Sequence, residues 1–205
     1  MALPQKAGLD SPKARQILEG AKDAFLELGY EGTSVDEIVR RARVSKGTLY
    51  NYFPDKVSVF VAVVDEECQK HADRVFTVDI ADENIEDALR SMAHDFTAFV
   101  LSPFAQGIYR VAVAESQRFP EVGRAFYEAG PDLGVRRLTQ FLAVAVARGD
   151  LAIDDLELAA HQFVELCKAD LFIECSLGIR DTFSDADIHR VAEAAVRAFM
   201  RAYAP

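Results

Sequence analysis

Apolar residues recur every three to four positions along most of the chain, the spacing of one face of a helix. Ile17, Ala21, Phe25 and Leu28 make the first such row. Ser11-Pro12 opens it, with serine as N-cap and proline at the first helical position. Gly29 stands where a helix would end. Val35, Ile38, Val39 and Ala42 make the second row. Ser34 followed by Glu37 reads as its capping box, and the helix is expected to stop near Arg43. Ser45 caps a third helix, which Pro54 limits to about seven residues because proline cannot continue a helix interior. Asp55 can cap a fourth helix, long and running to about Val78. Further helices are expected over 83–101, 104–117, 120–148, 154–177 and 185–203, punctuated by Pro103, Pro120, Gly149-Asp150 and Gly178. No alternating strand pattern or internal repeat interrupts them. The pattern predicts an all-α fold.

Two helices joined by a short turn, the second brief and polar on one side, make a helix-turn-helix. Leu49 and Phe53 are four apart and should face the core. A helix this short is unstable alone in water, so their packing must hold it. Lys46, Gly47, Thr48, Tyr50, Asn51 and Tyr52 are left outward or flanking. The expected organisation is a loose arm over 1–10, a helix-turn-helix domain over 11–56, and a larger helical domain over 57–205.

Charge sharpens this picture. The chain of 205 residues carries a formal net charge of -10. Its first sixty residues hold nine Lys/Arg against eight Asp/Glu, a net of +1, and the remainder carries -11. The acidic bulk argues against a protein that coats nucleic acid throughout, yet leaves room for a local basic face. No acid lies between Arg40 and Pro54. A hydrophobic fraction of 50% argues against disorder. Residues 1–10 lack the apolar region of a signal peptide. Phe141 to Ala147, the longest purely apolar run, is too short to span a bilayer. A cytoplasmic protein with no membrane partner is expected. Cys167 and Cys175 would stand about 12 Å apart along one helix, too far to pair, so free thiols are expected.

The outward residue types of the third helix suit DNA. Lys46 can reach a base edge or a phosphate, and Gly47 lets the backbone approach closely. The hydroxyls of Thr48, Tyr50 and Tyr52 can donate to phosphate oxygens. Asn51 can pair with a base edge, favouring adenine where the contact is bidentate. The first N–H groups after Ser45 can meet an anion. Lys56 can clamp the backbone from the next helix.

The segments T-S-V-D-E-I (33–38) and V-S-K-G-T-L-Y-N-Y-F-P-D-K (44–56) resemble the DNA-binding domain of the TetR family of bacterial transcriptional regulators. The resemblance is dense and collinear over 11–60. It implies that Ser45, Lys46, Gly47, Thr48, Tyr50, Asn51, Tyr52 and Lys56 touch DNA, and that Thr33 or Ser34 meets a phosphate. Arg43 departs from the family, which often has glycine there, and can add a phosphate contact or stay solvated. Val57 replaces a frequent glutamate.

Catalytic constellations are missing beyond residue 57. Glu67/His71, Cys68/His71 and His161/Glu165 sit at helical spacings that could chelate a metal. A di-metal bundle, however, needs paired Glu-x-x-His motifs, and the chain has none. No metal, cofactor or enzymatic activity is expected. Phe96, Phe99, Phe104, Tyr109, Phe126, Phe141 and Phe163 fall on or beside apolar faces. They are read as core or as the lining of an apolar pocket.

Arg110 to Pro131 and Ala147 to Phe163 resemble the ligand-binding half of AefR-like regulators within the TetR family. That implies a pocket for a small-molecule effector whose identity the residues do not give. Broad apolar faces on the last two helices, including Phe163, Leu171, Val191, Ala195 and Phe199, suggest burial against a twin. The family's dimers use the matching helices as a four-helix interface. The expected function is a ligand-responsive regulator, most often a repressor, binding a palindromic double-stranded DNA operator as a homodimer. The alternative is a helical small-molecule-binding or metal-binding protein whose N-terminal module is a fold remnant.

Overall fold

A computed structural model describes residues 11–75 and 84–205. The expected arm over 1–10, and the end of the fourth helix over 76–78, lie outside the described residues. Among the described residues there are eleven helices and no strand. These are α1 (Pro12–Gly32), α2 (Val35–Ala42), α3 (Lys46–Tyr52), α4 (Lys56–Val75), α5 (Ile85–Val100), α6 (Pro103–Glu115), α7 (Pro120–Ala129), α8 (Pro131–Arg148), α9 (Leu156–Cys167), α10 (Leu171–Ser176) and α11 (Asp185–Tyr203). The all-α expectation holds.

The predicted caps form. Ser11 Oγ accepts from Ala14 N, Ser34 Oγ from Glu37 N, and Ser45 Oγ from Thr48 N, at 3.0–3.1 Å. At the start of α4, Asp55 Oδ1 accepts from Ser58 N at 2.7 Å while Ser58 Oγ accepts from Asp55 N at 3.2 Å. Only half of the box expected at Ser34 forms, because the Glu37 carboxylate turns instead to Arg40 and Arg41. Gly29 breaks α1 as expected, with φ 72° and ψ 178°, but a last turn continues to Gly32.

Two expected long helices are each divided. The span 120–148 separates at Gly130-Pro131 into α7 and α8. Proline lacks the N–H that a continuous helix needs and forces its predecessor out of helical conformation; Gly130 has φ -108° and ψ -90°. The span 154–177 separates at 168–170. There the Cys167 carbonyl accepts from Thr97 Oγ1 at 3.1 Å, while Leu171 N turns to Ala169 O at 2.9 Å.

The chain folds as two compact units. The first takes residues 11–69 and 107–130. Ile17, Phe25, Ile38, Leu49, Phe53 and Phe60 are fully buried within it. Gly20 lets α1 approach α2 closely, since a Cβ there would stand 2.6 Å from Ala42 N. Phe25, Tyr30 and Phe60 form an aromatic cluster with ring centroids 5.2–5.9 Å apart. Tyr30 also meets Phe119, and Arg118 pairs with Glu31.

The second unit takes residues 70–75, 84–106 and 131–205. Its core joins α5, α8, α9 and α11 through Leu89, Met92, Leu138, Leu142, Ala160 and Val196. Phe163, Ala195 and Phe199 belong to this core, and Leu171 and Val191 to a smaller one around α10. All five are at most 4% exposed within a single chain. These five residues, expected on faces that meet a twin, pack within the single chain.

Candidate nucleic-acid interface

Three helices position the candidate reading surface. Leu49 and Phe53 are both fully buried, so the rest of α3 faces outward as its periodicity requires. Lys46, Gly47, Tyr50 and Asn51 are exposed, and Thr48 and Tyr52 are half-buried. Tyr50 retains 51% of its accessible surface. The turn that presents α3 ends α2 at Arg43, in left-handed conformation with φ 51° and ψ 46°. Val44 N returns to Val39 O at 3.1 Å, and the Gln16 side-chain amide donates to Ala42 O at 2.6 Å. Left-handed backbone is where glycine is most at ease, so arginine at this position carries a conformational cost.

Gly47 has no internal reason to be glycine. It lies in regular helix, and a Cβ added there would meet only Ser45 Oγ, at an ordinary 3.8 Å. Glycine in a helix costs roughly 0.5–1 kcal/mol relative to alanine. The chain accepts that cost on an exposed surface, which is what close approach by another molecule would require.

The cations around α3 are largely engaged. Arg40 pairs with Glu37, and Arg41 bridges Glu27 and Glu37 at 2.6–2.7 Å. Hydrogen bonds from Arg40 and Arg41 hold the Glu37 carboxyl down at about 2. Lys46 Nζ meets Asp36 Oδ1 at 2.7 Å. Arg43 is exposed and has no ion pair among the described residues.

Two expected contact residues are used inside the protein. Thr33 is fully buried, and its hydroxyl donates to Gly29 O at 2.6 Å or to Ala24 O at 3.1 Å. Of the two residues expected to meet a phosphate at the start of α2, Ser34 is the exposed one. Lys56 is half-buried and donates to Tyr30 O at 2.7 Å. Burial pushes its pKa below the usual lysine value.

The seven rings expected around a pocket are divided. Tyr109 and Phe126 belong to the first unit, with ring centroids 6.1 Å apart. Phe96, Phe99, Phe104, Phe141 and Phe163 belong to the second. Phe141 and Phe163 are buried core, and Phe96 is partly buried against that core. Phe99 stacks on His71 at 3.6 Å between centroids. Among the described residues no group of three or more His, Cys, Asp or Glu side chains could hold a metal. The described cysteines, Cys68, Cys167 and Cys175, are buried and outside any disulfide.

Comparison with known proteins decides the family. Residues 17–63 match the bacterial regulatory proteins of the tetR family, and residues 87–205 match the AefR-like transcriptional repressor C-terminal domain. The chain belongs to the TetR family. Among solved structures, it is similar to a TetR-family protein from Mesorhizobium loti MAFF303099, with 28% identity, a TM-score of 0.86, and 96% of this chain and 100% of that one covered. It is also similar to the flavonoid-responsive regulator FrrA, at 35% identity and a TM-score of 0.80 over 94% of this chain and 97% of that one. The transcriptional repressor AcnR of Corynebacterium diphtheriae is 31% identical over 93 residues, 43% of this chain. That match spans 46% of AcnR, less than half its length. TetR-family proteins are DNA-binding transcriptional regulators, and the helix-turn-helix of α2 and α3 lies within the matched N-terminal region.

Sequence reasoning did not pick out Asp36. It stands ten positions before Lys46 and on a different helix, so no spacing rule joins the two. Only the fold brings them into contact.

Proposed function

We propose that the protein is a ligand-responsive repressor that binds a palindromic operator as a homodimer, with α3 as its reading helix. The observation that carries this is Gly47, an exposed helical glycine with no neighbour that needs it. Around it Ser34, Arg43, Ser45, Lys46, Thr48, Tyr50, Asn51 and Tyr52 supply hydroxyl, amide and cationic groups suited to phosphates and base edges. Thr33 and Lys56 support that surface from behind. On this reading residues 11–56 are the DNA-binding domain and 57–205 bind the effector and the twin.

The dimer seam is assigned to exposed apolar residues. Ile173 is 59% exposed, Leu177 67% and Ile179 72%. Exposed apolar side chains grouped in this way mark interaction surfaces. A two-fold dimer would set its two α3 helices about 34–36 Å apart, one turn of DNA.

The effector is assigned to the AefR-like region. FrrA is named as flavonoid-responsive, and its similarity along nearly the whole chain makes flavonoids the first class to test. An effector shifts the DNA-binding state only by its differential affinity for the two conformations, commonly about 1–3 kcal/mol. No single described helix is long and apolar enough to cross a membrane, which fits a cytoplasmic regulator.

Selection of bound duplexes from a random-sequence pool tests the proposal. A palindromic consensus with half-sites one helical turn apart is expected. Recovery of no preferred sequence would overturn it.

A further inference from the structure

The carboxylates around α2 have three uses: Glu37 pairs within the helix, Glu27 ties α1 to α2, and Asp36 does neither. Glu37 and Glu27 hold Arg40 and Arg41. Asp36 instead reaches from α2 to the first residue of α3, where its carboxylate meets Lys46 Nζ at 2.7 Å. Both side chains are largely exposed, Lys46 at 55% and Asp36 at 72%. An exposed carboxylate beside the path of a phosphate backbone along α3 opposes binding to any DNA. It therefore needs a reason to be there.

The pair has a different chemistry from a lone lysine. Free Lys46 would be a mobile point charge, equally satisfied by any phosphate. Paired with Asp36, the two side chains are together neutral and release little counterion on binding. One Nζ–H is spent on Asp36, and the other two remain for acceptors. Guanine presents O6 and N7 in the major groove, the acceptors that lysine recognises. Asp36 directs Lys46 from the α2 side and fixes where those donors point.

We propose that Asp36 is a specificity-determining positioning residue, which holds Lys46 as a reader of guanine rather than as a counterion for phosphate. This rests on α3 being the reading helix. The general phosphate attraction then falls to Arg43, which has no ion pair among the described residues, and to the hydroxyls. The consequence is low affinity for random DNA and a larger gap between random and preferred sequence.

The test uses the full-length protein, a duplex selected by the wild type from a random pool, and a scrambled duplex of the same length. Wild type, Asp36→Asn, Lys46→Met and the double variant are compared across a salt series and by repeat selection. Melting curves confirm that each is folded. Asp36→Asn should bind the scrambled duplex more tightly, with a salt slope steeper by about 0.9 per chain, the value of one neutralised phosphate. It should lose preference for guanine at one position per half-site by about fivefold or more, the low end of one good base contact. Asp36→Glu, which keeps the carboxylate, should retain part of that preference. In the Lys46→Met background, Asp36→Asn should change guanine preference no further.

An unchanged salt slope and base preference in Asp36→Asn would overturn the proposal. So would an equal loss of preference with and without Lys46. If Lys46→Met itself selects the wild-type sequence at every position, Lys46 reads no base and the proposal falls with that. If no variant or wild type selects any sequence, it is the assignment of α3 as the reader that has failed.

Discussion

The Lys56 ammonium group donates to the Tyr30 carbonyl oxygen at 2.7 Å and lies 4.3 Å from the centre of the same residue's ring. A lysine expected to grip DNA is held as a strut between the start of α4 and the end of α1. Lys56→Met should therefore lower stability by about 1 kcal/mol or more, the range of a charged hydrogen bond and a cation–π contact. Its effect on the salt dependence of DNA binding should be small. Denaturation and a salt series on the same preparation check both halves.

Arg43→Gly should behave in the opposite way. Glycine relieves left-handed backbone at φ 51°, worth about 1 kcal/mol. Losing the guanidinium should flatten the salt slope by about 0.9 per chain. A stabilised protein with weaker, less salt-dependent DNA binding is the expected outcome.

Glu37 predicts an acid limb in stability. Its folded pKa of about 2 lies below its ordinary value of 4.5. A depressed carboxylate contributes stability that is present above the unfolded pKa and lost as pH falls through the folded one. The stability difference between wild type and Glu37→Gln should therefore shrink from pH 4.5 to pH 2. A difference that stays constant over this window would contradict the assigned pairing with Arg40 and Arg41.

Two apolar substitutions separate folding from assembly. Phe199 is 1% exposed and meets Phe163 edge-on at 5.0 Å. Phe199→Ala should cost about 3–5 kcal/mol in the fold of each chain. Leu177→Asp, on a side chain 67% exposed, should leave the chain folded and shift sedimentation from dimer to monomer.

Much of this was legible from local sequence, because caps and short helices are local. Ser11, Ser34 and Ser45 announce their helices, and the Leu49/Phe53 spacing fixes which side of α3 faces outward. The end of α2 at Arg43 was also legible, though not its left-handed conformation. The Gly130-Pro131 break was available as a local signal, but the apolar rhythm on both sides masked it. The break before α10 has no local proline or glycine to announce it, and it coincides with Thr97 reaching the Cys167 carbonyl from another helix. The same limit applies to the site. Exposed hydroxyls, an amide and Lys46 could be placed by periodicity, whereas the inward roles of Thr33 and Lys56 depend on contacts with α1. The apolar faces of α9 and α11 showed only that burial was needed. Sequence pattern cannot say whether the cover comes from the same chain or a second copy.

Gly47→Ala tests the central claim most directly. The space around Gly47 is open within the protein, so alanine should raise helix stability by about 0.5–1 kcal/mol. If α3 lies against DNA, the added methyl group should at the same time weaken binding to the selected duplex. The decisive measurement is the affinity of Gly47→Ala for that duplex, taken beside its melting temperature. A more stable protein that binds DNA less tightly is the predicted result. A more stable protein that binds the duplex as tightly as wild type would contradict it.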